Sequence, residues 1–522
     1  MSKTARRLWA ALWVALATIS AIAPSWAGSG VGAPVSRGNF LRVPQYETTA
    51  ALTLYVDPTG SDSNACTASG ASACLTLQAA VNKIPKLVRH PVTVNVASGN
   101  YTGLSIFGYR FDPLVTANGA YINFIGTMTT ATVATGTATG TATAGTAGSG
   151  TTFGTLTDSG QSWTTNDLIG KLLVITGGTG AGQQKIIDSN TATSITVAGT
   201  WTAPTGSSTY VIQNWGSVVD GNILRPAIPA IAASTGQTLY MEDNGHVREL
   251  GGSSAGSTQA SAPITFTTMQ FSPTTVTLNA ARINGPNSVA FSRCRLAGKT
   301  TGAALVPLYN AAVWVGDSYL TSETNLVVSS GFNNAANSLL TFSASRLENG
   351  GGAGGAGVLG GPGAWNFSGT SFKTQSGYCI SGGLGSAGPA PSNIFITSSR
   401  CVCANSGGSG IYLSSLTGAF TSAYINGLTI DNCGTSDAAV LVKGRGAHLY
   451  LNSADNVFTG LTNATGISVF YGASVYIGTD PTLTSFTYDL KVEGAATTPY
   501  STFTALSPAA IMDLNYGSAI FK

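Results

Sequence analysis

Phe-Ser-Arg-Cys-Arg-Leu (291–296) is the first of six related hexapeptides that decide the fold. The others are Val-Gly-Asp-Ser-Tyr-Leu (315–320), Phe-Ser-Ala-Ser-Arg-Leu (342–347), Phe-Ser-Gly-Thr-Ser-Phe (367–372), Ile-Thr-Ser-Ser-Arg-Cys (396–401) and Ile-Asn-Gly-Leu-Thr-Ile (425–430). Their starts lie 24, 27, 25, 29 and 29 residues apart, and an apolar residue precedes each by two positions. Apolar alternation broken by a small polar corner indicates short strands joined by turns.

A unit of this size has no helical periodicity and cannot bury its apolar face alone, whereas stacking units into a solenoid buries it. The repeat therefore predicts an all-β parallel β-helix in which equivalent residues of successive coils lie ~4.8 Å apart. Like side chains should then form ladders inside the coil stack. One predicted ladder contains Phe291, Phe342, Phe367 and Ile396, and a second contains Leu296, Leu320, Leu347, Phe372, Cys401 and Ile430.

The amino-terminal region carries the features of a first coil. The strand-like Leu54-Tyr55-Val56 is followed by a helical pattern over 76–85 and by the alternating strand 92–96, which leads into Gly99-Asn100-Tyr101. At these residues the chain resembles the pectin-lyase-like superfamily of right-handed parallel β-helices. The resemblance covers about 52–126 and 210–480. It implies a right-handed solenoid with an amino-terminal capping helix over the open end of the first coil.

Composition divides the chain into six segments. We assign 1–27 to a signal peptide, 28–126 to the cap and first coils, 127–151 to a Thr/Ala/Gly linker, 152–213 to an inserted β module, 214–480 to the β-helix and 481–522 to a carboxyl-terminal cap or tail. The inserted module is similar to small β modules of phage tail and bacterial surface proteins, and we expect it to project from the solenoid. The glycine-rich stretch 177–182 precedes a strand and lacks the Lys-Ser/Thr of a phosphate loop, which favours a hairpin turn.

Charge is scarce, with 24 Lys+Arg and 21 Asp+Glu in 522 residues. Lys3, Arg6 and Arg7 precede an apolar run, and small residues lead to a cleavage site near Ala27, as in a secretory signal. Without those three cations the mature chain has 24 − 3 = 21 basic and 21 acidic residues. A net charge of zero gives no electrostatic support for nucleic-acid binding. We expect a secreted or cell-surface protein without a membrane span in its mature form.

Seven cysteines follow the signal, and an exported protein uses them for disulfides. Cys66 and Cys74 close a short loop, and Cys403 and Cys433 fall on adjacent coils, so both pairs are predicted to be bonded. Zinc binding by Cys401 and Cys403 is disfavoured, because their spacing does not fit the usual motif.

Residues 242–249 form the densest charged cluster. If Asn244-Gly245 makes a tight turn, the catalytic candidates Glu242, Asp243, His246 and Arg248 would face one substrate. A solvated hairpin tip held by ion pairs is the simpler alternative.

The fifth motif position supplies the candidate substrate-binding residues Arg295, Tyr319, Arg346 and Arg400. An arginine and tyrosine ladder suits an extended anionic or hydroxyl-rich polymer. Nearby acids could instead neutralise the arginines as surface ion pairs.

The resemblance implies carbohydrate chemistry, with a lyase that uses calcium-binding aspartates or a hydrolase that uses grouped aspartates, although fold alone does not give activity. No adjacent acid pair stands out, and no cofactor is evident. We therefore predict a polysaccharide-binding β-helix protein and leave open whether it cleaves its ligand. The alternatives are a non-enzymatic adhesin or structural surface protein and a phage-tail-like fibre component. Neither the oligomeric state nor the particular sugar follows from the sequence.

Overall fold

The computed structural model describes residues 46–522 apart from 113–118, 150–151, 221–236, 243, 247–262, 274–278, 286, 301, 309–310, 324–326, 330–337, 351–355, 361–362, 375–376, 383–391, 404–408, 416–420, 434–437, 461–464, 480, 487, 494–496, 499–510, 516–518 and 521–522. The chain divides into two units, Met1–Tyr46 and Glu47–Lys522, and the second is described below. The predicted signal peptide lies outside the described residues.

Parallel strands wind around an apolar core in three faces, which confirms the predicted parallel β-helix. Faces A and B belong to one 23-stranded sheet, because two long strands turn the corner between them without interruption. Those two strands are Ser392–Cys403 and Thr421–Cys433. Face C is a separate 12-stranded sheet.

Face A contains the amino-terminal parts of the two long strands together with Leu52–Val56, Val92–Val96, Ile122–Gly126, Ile264–Thr267, Ser288–Ser292, Ala312–Gly316, Ser338–Ser343, Gly363–Ser368, Ala447–Leu451, Ser474–Ile477, Thr497–Thr498 and Ala519–Ile520. Face B contains their carboxyl-terminal parts together with Gly99–Tyr101, Ser217–Val219, Gln270–Phe271, Arg295–Gly298, Tyr319–Ser322, Arg346–Asn349, Ser371–Thr374, Val457–Gly460 and Thr482–Thr484.

Face C contains Leu104–Phe107, Gln237–Glu242, Asn279–Ile283, Leu305–Pro307, Val328–Ser329, Ala356–Gly360, Tyr378–Gly382, Ser409–Ser414, Ala438–Lys443, Thr465–Phe470, Tyr488–Glu493 and Ile511–Asn515. A small three-stranded sheet contains Leu87–Val88, Arg110–Phe111 and Gly245–His246. A 3-10 turn spans Gly70–Ser72, and one short α-helix spans Leu77–Lys83. The helix buries Leu77, Ala80 and Val81 in the main core, and its role as a cap stays a prediction.

Coil register follows the repeat. Leu296, Leu320, Leu347, Phe372, Cys401 and Ile430 pair in sequence across successive strands of face B, as predicted for the second ladder. The first ladder is also confirmed, with Val315 placed between Phe291 and Phe342. Parallel strands continue past residue 480, so the coils extend into the segment 481–522 that we assigned to a cap or tail.

Corners between faces A and B are turned by single residues with positive φ. Each lies two positions before the outward residue of face B, and those described are Thr268, Arg293, Asp317, Ala344, Gly369, Ser398 and Gly427. Small hydroxyls line the inside of the same corners. Ser345 Oγ accepts a hydrogen bond from the backbone of Ser318, and Ser399 Oγ accepts one from Thr370. The polar corners of the repeat thus pair the backbone groups that the turn leaves open.

The inserted module is an antiparallel sheet that leaves the solenoid at the corner between Ile122–Gly126 and Ser217–Val219. Its strands are Met128–Thr130, Thr139–Thr141, Ala144–Thr146, Gly154–Thr157, Leu172–Gly177, Gln184–Asn190, Ser194–Val197 and Thr209–Trp215. The glycine-rich stretch 177–182 joins two antiparallel strands, as expected for a hairpin. The two ends of the insertion meet, because Gly216 N donates to Thr127 O over 2.8 Å.

The predicted linker 127–151 is wrong, since this stretch supplies three strands of the module. Ala131, Ala138 and Ala142 are buried in the module core. Gly140 lies so close to Tyr210 that an added Cβ would stand 2.5 Å from the phenol oxygen. The small residues in this stretch allow strands to pack closely, and they do not form a flexible linker. None of the described helices combines the length and apolarity needed to cross a bilayer.

Candidate functional site: a cleft on face B

The predicted arginine and tyrosine column exists in register. Arg295 pairs with Tyr319, Tyr319 with Arg346, and Ser371 stands between Arg346 and Arg400. The residue that follows each of them in its strand is a buried ladder residue. Because side chains alternate along a strand, this column faces outward from face B. The repeat therefore located the column correctly.

The inserted module covers the middle of this column instead of projecting from the solenoid. Its strand Gln184–Asn190 directs alternate side chains at face B. Gln184 accepts a hydrogen bond from Arg293 over 2.8 Å, Ile186 packs against Tyr319, and Asp188 is paired with Arg346. Period-two alternation places all three on one side of the strand.

Further contacts fix the module in place. Trp215 Nε1 donates to the carbonyl of Arg293 over 2.7 Å, and Lys185 Nζ lies 3.1 Å from Asp317 Oδ1. Leu172 joins Trp215 in an apolar cluster with Tyr319. This docking surface is partly apolar and partly ionic, so the module and the solenoid are packed as one body.

Docking removes Tyr319 and Arg346 from the set of substrate-binding candidates. Arg346 is 2% exposed and Tyr319 is 7% exposed. Glu348 accepts hydrogen bonds from Arg346 Nη2 over 2.9 Å and from Tyr319 Oη over 3.0 Å. Arg346 therefore neutralises carboxylates of the protein itself, and the simpler alternative of structural ion pairs holds at this position.

Arg400 is also committed to internal partners. Its guanidinium lies 2.6 Å from Asp431 Oδ2 and 4.4 Å from the ring centre of Phe153, which belongs to the module. The side chain keeps 34% exposure, so this pair is only weakly shielded from water. Asp431 neutralises the charge of Arg400, so this arginine adds no excess charge to face B.

Arg295 differs from both. It is partly buried, its guanidinium packs over the ring of Tyr319 at 5.6 Å, and its Nε makes no hydrogen bond to the described residues. Within the described part of the chain, no carboxylate forms an ion pair with it. Because Tyr319 is held by Glu348 and by the module, the aromatic support of Arg295 is fixed before any ligand arrives.

Arg295 lines a cleft of about 450 Å³ on face B. The other residues that line it are Ser272, Pro273, Ala297, Gly298, Lys299, Tyr319, Thr321 and Glu323. Lys299 is paired with Glu323, whose second oxygen accepts from the backbone of Thr300 over 3.1 Å. The Lys299 hydrogen bond and the Thr300 amide lower the pKa of Glu323, so it is a carboxylate at neutral pH. Arg295 therefore leaves the cleft with one excess positive charge.

Sequence reasoning missed Lys299, Glu323, Ser272 and Thr321. A usable signal was present, since Lys299 and Glu323 lie four positions after Arg295 and Tyr319 respectively. Residues that share an offset from the motif on adjacent coils must be neighbours once the coils are stacked.

The predicted catalytic cluster has a different geometry from the expected hairpin. Gln237–Glu242 and Gly245–His246 each pair in parallel with strands of the previous coil, so Asn244 is a buried corner between two sheets. Its amide donates to Ile106 O over 3.0 Å and accepts from Tyr109 N over 2.9 Å. The tight turn is wrong because these amide bonds belong to the coil, not to an antiparallel hairpin.

Glu242 accepts a hydrogen bond from the buried Tyr240 hydroxyl. Asp243 and Arg248 lie outside the described residues, and His246 is placed only by its backbone strand. The convergence of these four side chains therefore stays a prediction.

Three disulfides occur in the described residues. Cys66–Cys74 and Cys403–Cys433 are the two predicted pairs, and Cys379–Cys401 is a third that the repeat did not indicate. The third bond joins face C to face B across the core, whereas coil stacking relates only equivalent positions. Cys294 is a buried free thiol, and burial raises its pKa to about 12.

Metal binding finds little support in the described residues. Cys379, Cys401 and Cys403 are the one group whose potential ligand atoms cluster, and all three sulfurs are in disulfides. The calcium site implied by the resemblance needs several oxygen ligands, and no grouping of described carboxylates supplies them.

No protein-family model matches the chain, and no curated protein matches it. Solved structures similar to it include a protein described as a glycoside hydrolase, at 10% identity and a TM-score of 0.30 over 90% of this chain and 96% of the other. Two others are phage tailspikes.

The tailspike gp61 of Pseudomonas phage phi297 gives 11% identity and a TM-score of 0.22 over 81% and 70%. The Gp54 tailspike of Acinetobacter baumannii bacteriophage AP22, solved with a capsular saccharide, gives 8% and 0.25 over 82% and 71%. With TM-scores this far below 0.5, these likenesses carry no argument about function.

Proposed function

We propose that the protein binds a polysaccharide that bears carboxylate or other anionic groups, and that the cleft on face B is the binding site. One observation carries the proposal. Arg295 belongs to a column whose other arginines are neutralised by protein carboxylates, yet it lines a cleft without such a partner among the described residues.

The chemistry of the cleft fits an acidic sugar unit. A guanidinium presents a planar set of donors that matches a carboxylate through two parallel hydrogen bonds. Ser272 and Thr321 add hydroxyl groups, and Lys299 with Glu323 adds a charged pair. A volume of about 450 Å³ lies within the range of ordinary small-ligand sites.

Binding without cleavage is the form of the proposal that this cleft supports best. Glycoside hydrolysis normally uses two carboxyl groups, one of them protonated. Among the described residues that line the cleft Glu323 is the one acid, and its lowered pKa makes it a poor proton donor. A surface adhesin therefore fits the geometry better than a hydrolase, and a lyase remains the alternative to be tested. The three disulfides and the predicted signal peptide favour action outside the cytoplasm.

The test compares acidic and neutral polysaccharides by isothermal titration calorimetry. We expect an acidic polymer such as polygalacturonate to bind, and Arg295→Gln to weaken that binding by tenfold or more. Lys443→Ala is the matched control, since it removes a cation that lies over Tyr471 at the end of a face C strand. Ultraviolet absorbance and reducing-end assays on the same mixtures report cleavage. Equal binding by Arg295→Gln and wild type would contradict the proposal. Formation of cleavage products would show that the protein is an enzyme and not an adhesin.

A further inference from the structure

Four aromatic side chains form a continuous stack on the outside of face A. Phe395, Tyr424, Tyr450 and Tyr476 pair in register on successive coils, and we call them the outer aromatic ladder. Ring centres are 5.0, 4.6 and 4.7 Å apart, with interplanar angles of 11°, 7° and 5°. Sequence analysis did not identify this column, because it lies outside the hexapeptide positions used for alignment.

The ladder points away from the core. The residues on either side of each ring within its strand are buried, among them Ile394 and Ile396 beside Phe395. Phe395 is 40% exposed, and the three tyrosines are partly buried by their neighbours. Outward positions of a half-solvated sheet are usually polar, so four aromatic residues in a row require an explanation.

Mutual stacking explains only part of the pattern. A stacked pair contributes about 0.5–1.5 kcal/mol, which would stabilise the coil stack. The earlier coils hold together with Thr341 and Asn366 at the same outward position, so stacking there is not a requirement of the fold. Among the described residues the aromatic run covers four consecutive coils, as a local surface would.

The flanking columns are polar and uncharged. Asn393, Ser422, His448 and Ser474 pair in register on one side of the ladder. Thr397 and Asn426 begin the column on the other side. Burial lowers the pKa of His448, which keeps the imidazole neutral at pH 7. The surface therefore offers aromatic rings, hydroxyls and amides without a formal charge.

The stacking geometry leaves part of each ring accessible. Parallel rings in contact need only ~3.5–4.0 Å between carbon atoms. At centre separations of 4.6–5.0 Å, rings that approach to this contact distance are offset sideways from one another. The exposed margins and the tyrosine hydroxyls then repeat along the stack with the coil spacing.

We propose that the outer aromatic ladder binds an uncharged, hydroxyl-rich glycan whose chain runs along the coil stack, with about one sugar unit for each coil. Sugar faces would lie on the ring margins, and the flanking hydroxyl and amide groups would bond to sugar hydroxyls. This site is independent of the cleft on face B, because it lies on another face and has no excess charge. The two sites together would let one protein hold neutral and acidic glycan segments.

Chain-length dependence tests the proposal without any substitution. Calorimetry with uncharged gluco-oligosaccharides of two to eight units should show affinity that rises with length and levels off near four units, because the ladder has four rings. The binding should change less than twofold between 50 and 500 mM salt, in contrast to binding at Arg295. Failure of all uncharged oligosaccharides and soluble β-glucans to bind, or affinity independent of length, would overturn the proposal.

Substitution then locates the site. Tyr424→Ala with Tyr450→Ala should reduce neutral-glycan affinity at least tenfold, while Arg295→Gln should leave it unchanged. Tyr412→Ala is the matched control, since Tyr412 stacks on Tyr378 at 4.7 Å on face C. If the double variant is poorly folded, Tyr424→Phe with Tyr450→Phe keeps the rings and should lose affinity by a smaller factor. Unchanged neutral-glycan affinity in a folded double alanine variant would refute the assignment.

Discussion

Gly369 illustrates what single corner residues contribute to the coil. It turns a corner at φ 58°, where the preceding and following coils use Ala344 and Ser398 at similar φ. An added Cβ at Gly369 would meet no atom closer than 3.7 Å. The cost of a side chain at this position is therefore the left-handed backbone itself, not a clash.

We predict that Gly369→Ala destabilises the protein by about 1 kcal/mol, the lower end of the penalty for an L-residue in the left-handed region. Ala344→Gly should relieve the same penalty at the neighbouring corner, with a gain partly offset by the greater entropy of glycine in the unfolded chain. Urea unfolding of both variants measures the difference. Equal destabilisation by the two changes would show that corner backbone geometry does not set these energies.

At the scale of elements, we expect the docking of the module to depend on pH. Burial alone would raise the pKa of Glu348, but Arg346 and Lys373 beside it lower the pKa below the usual glutamate value. A lowered folded-state pKa means that the stabilisation is complete above the unfolded value of about 4.3 and is lost as pH falls through the folded value. Since Glu348 also holds Tyr319, its protonation should loosen the docking surface.

We therefore expect hydrogen exchange in Gln184–Asn190 to be slow at pH 6 and to accelerate more than tenfold, after correction for intrinsic rates, as pH falls from about 4.3 toward 3. Glu348→Gln should weaken protection already at pH 6 and flatten the pH response. Glu323→Gln is the control, because it removes a carboxylate of face B whose pair with Lys299 is exposed to solvent. A steep acid response retained in Glu348→Gln would assign the effect to other carboxylates.

The elements also show how far sequence could reach. Column positions such as Arg295 and Tyr319 were predictable because the repeat fixes which residues are neighbours on adjacent coils. The ion pair of Arg346 was not predictable, since its partner Asp188 lies 158 residues away in a segment without the repeat. The strands in 127–151 were also missed, because alanine and glycine give no apolar alternation. Two members of the outer aromatic ladder, Phe395 and Tyr424, directly precede motifs of the repeat, whereas Tyr450 and Tyr476 lie beyond the last motif.

For the whole solenoid, stability is a sum of coil energies and contacts between neighbouring coils. Two disulfides link consecutive coils. The bond Cys379–Cys401 ends two residues before the bond Cys403–Cys433 begins. Closing loops of 22 and 30 residues should stabilise this region by about 3–4 kcal/mol for each bond.

We predict that Cys379→Ser with Cys401→Ser lowers the free energy of local unfolding around these coils by about 3 kcal/mol. Hydrogen exchange of Ser409–Ser414 and Ala438–Lys443 provides the measurement. Cys66→Ser with Cys74→Ser removes a bond at the far end of the repeat and should leave exchange in those strands unchanged. If both double variants accelerate exchange equally throughout, the coils unfold as one cooperative unit and not as neighbours.

The hydrogen bond between Gly216 and Thr127 closes the solenoid corner at which the module is inserted. Because the chain leaves and rejoins the solenoid at this one point, the spacing of the coils does not depend on the size of the inserted domain. The solenoid residues that contact the module are outward residues of face B, such as Arg346, and corner residues, such as Arg293 and Asp317. Evolution could replace the module with another domain by changing a few of these contact residues. Every inward ladder of the solenoid would stay unchanged.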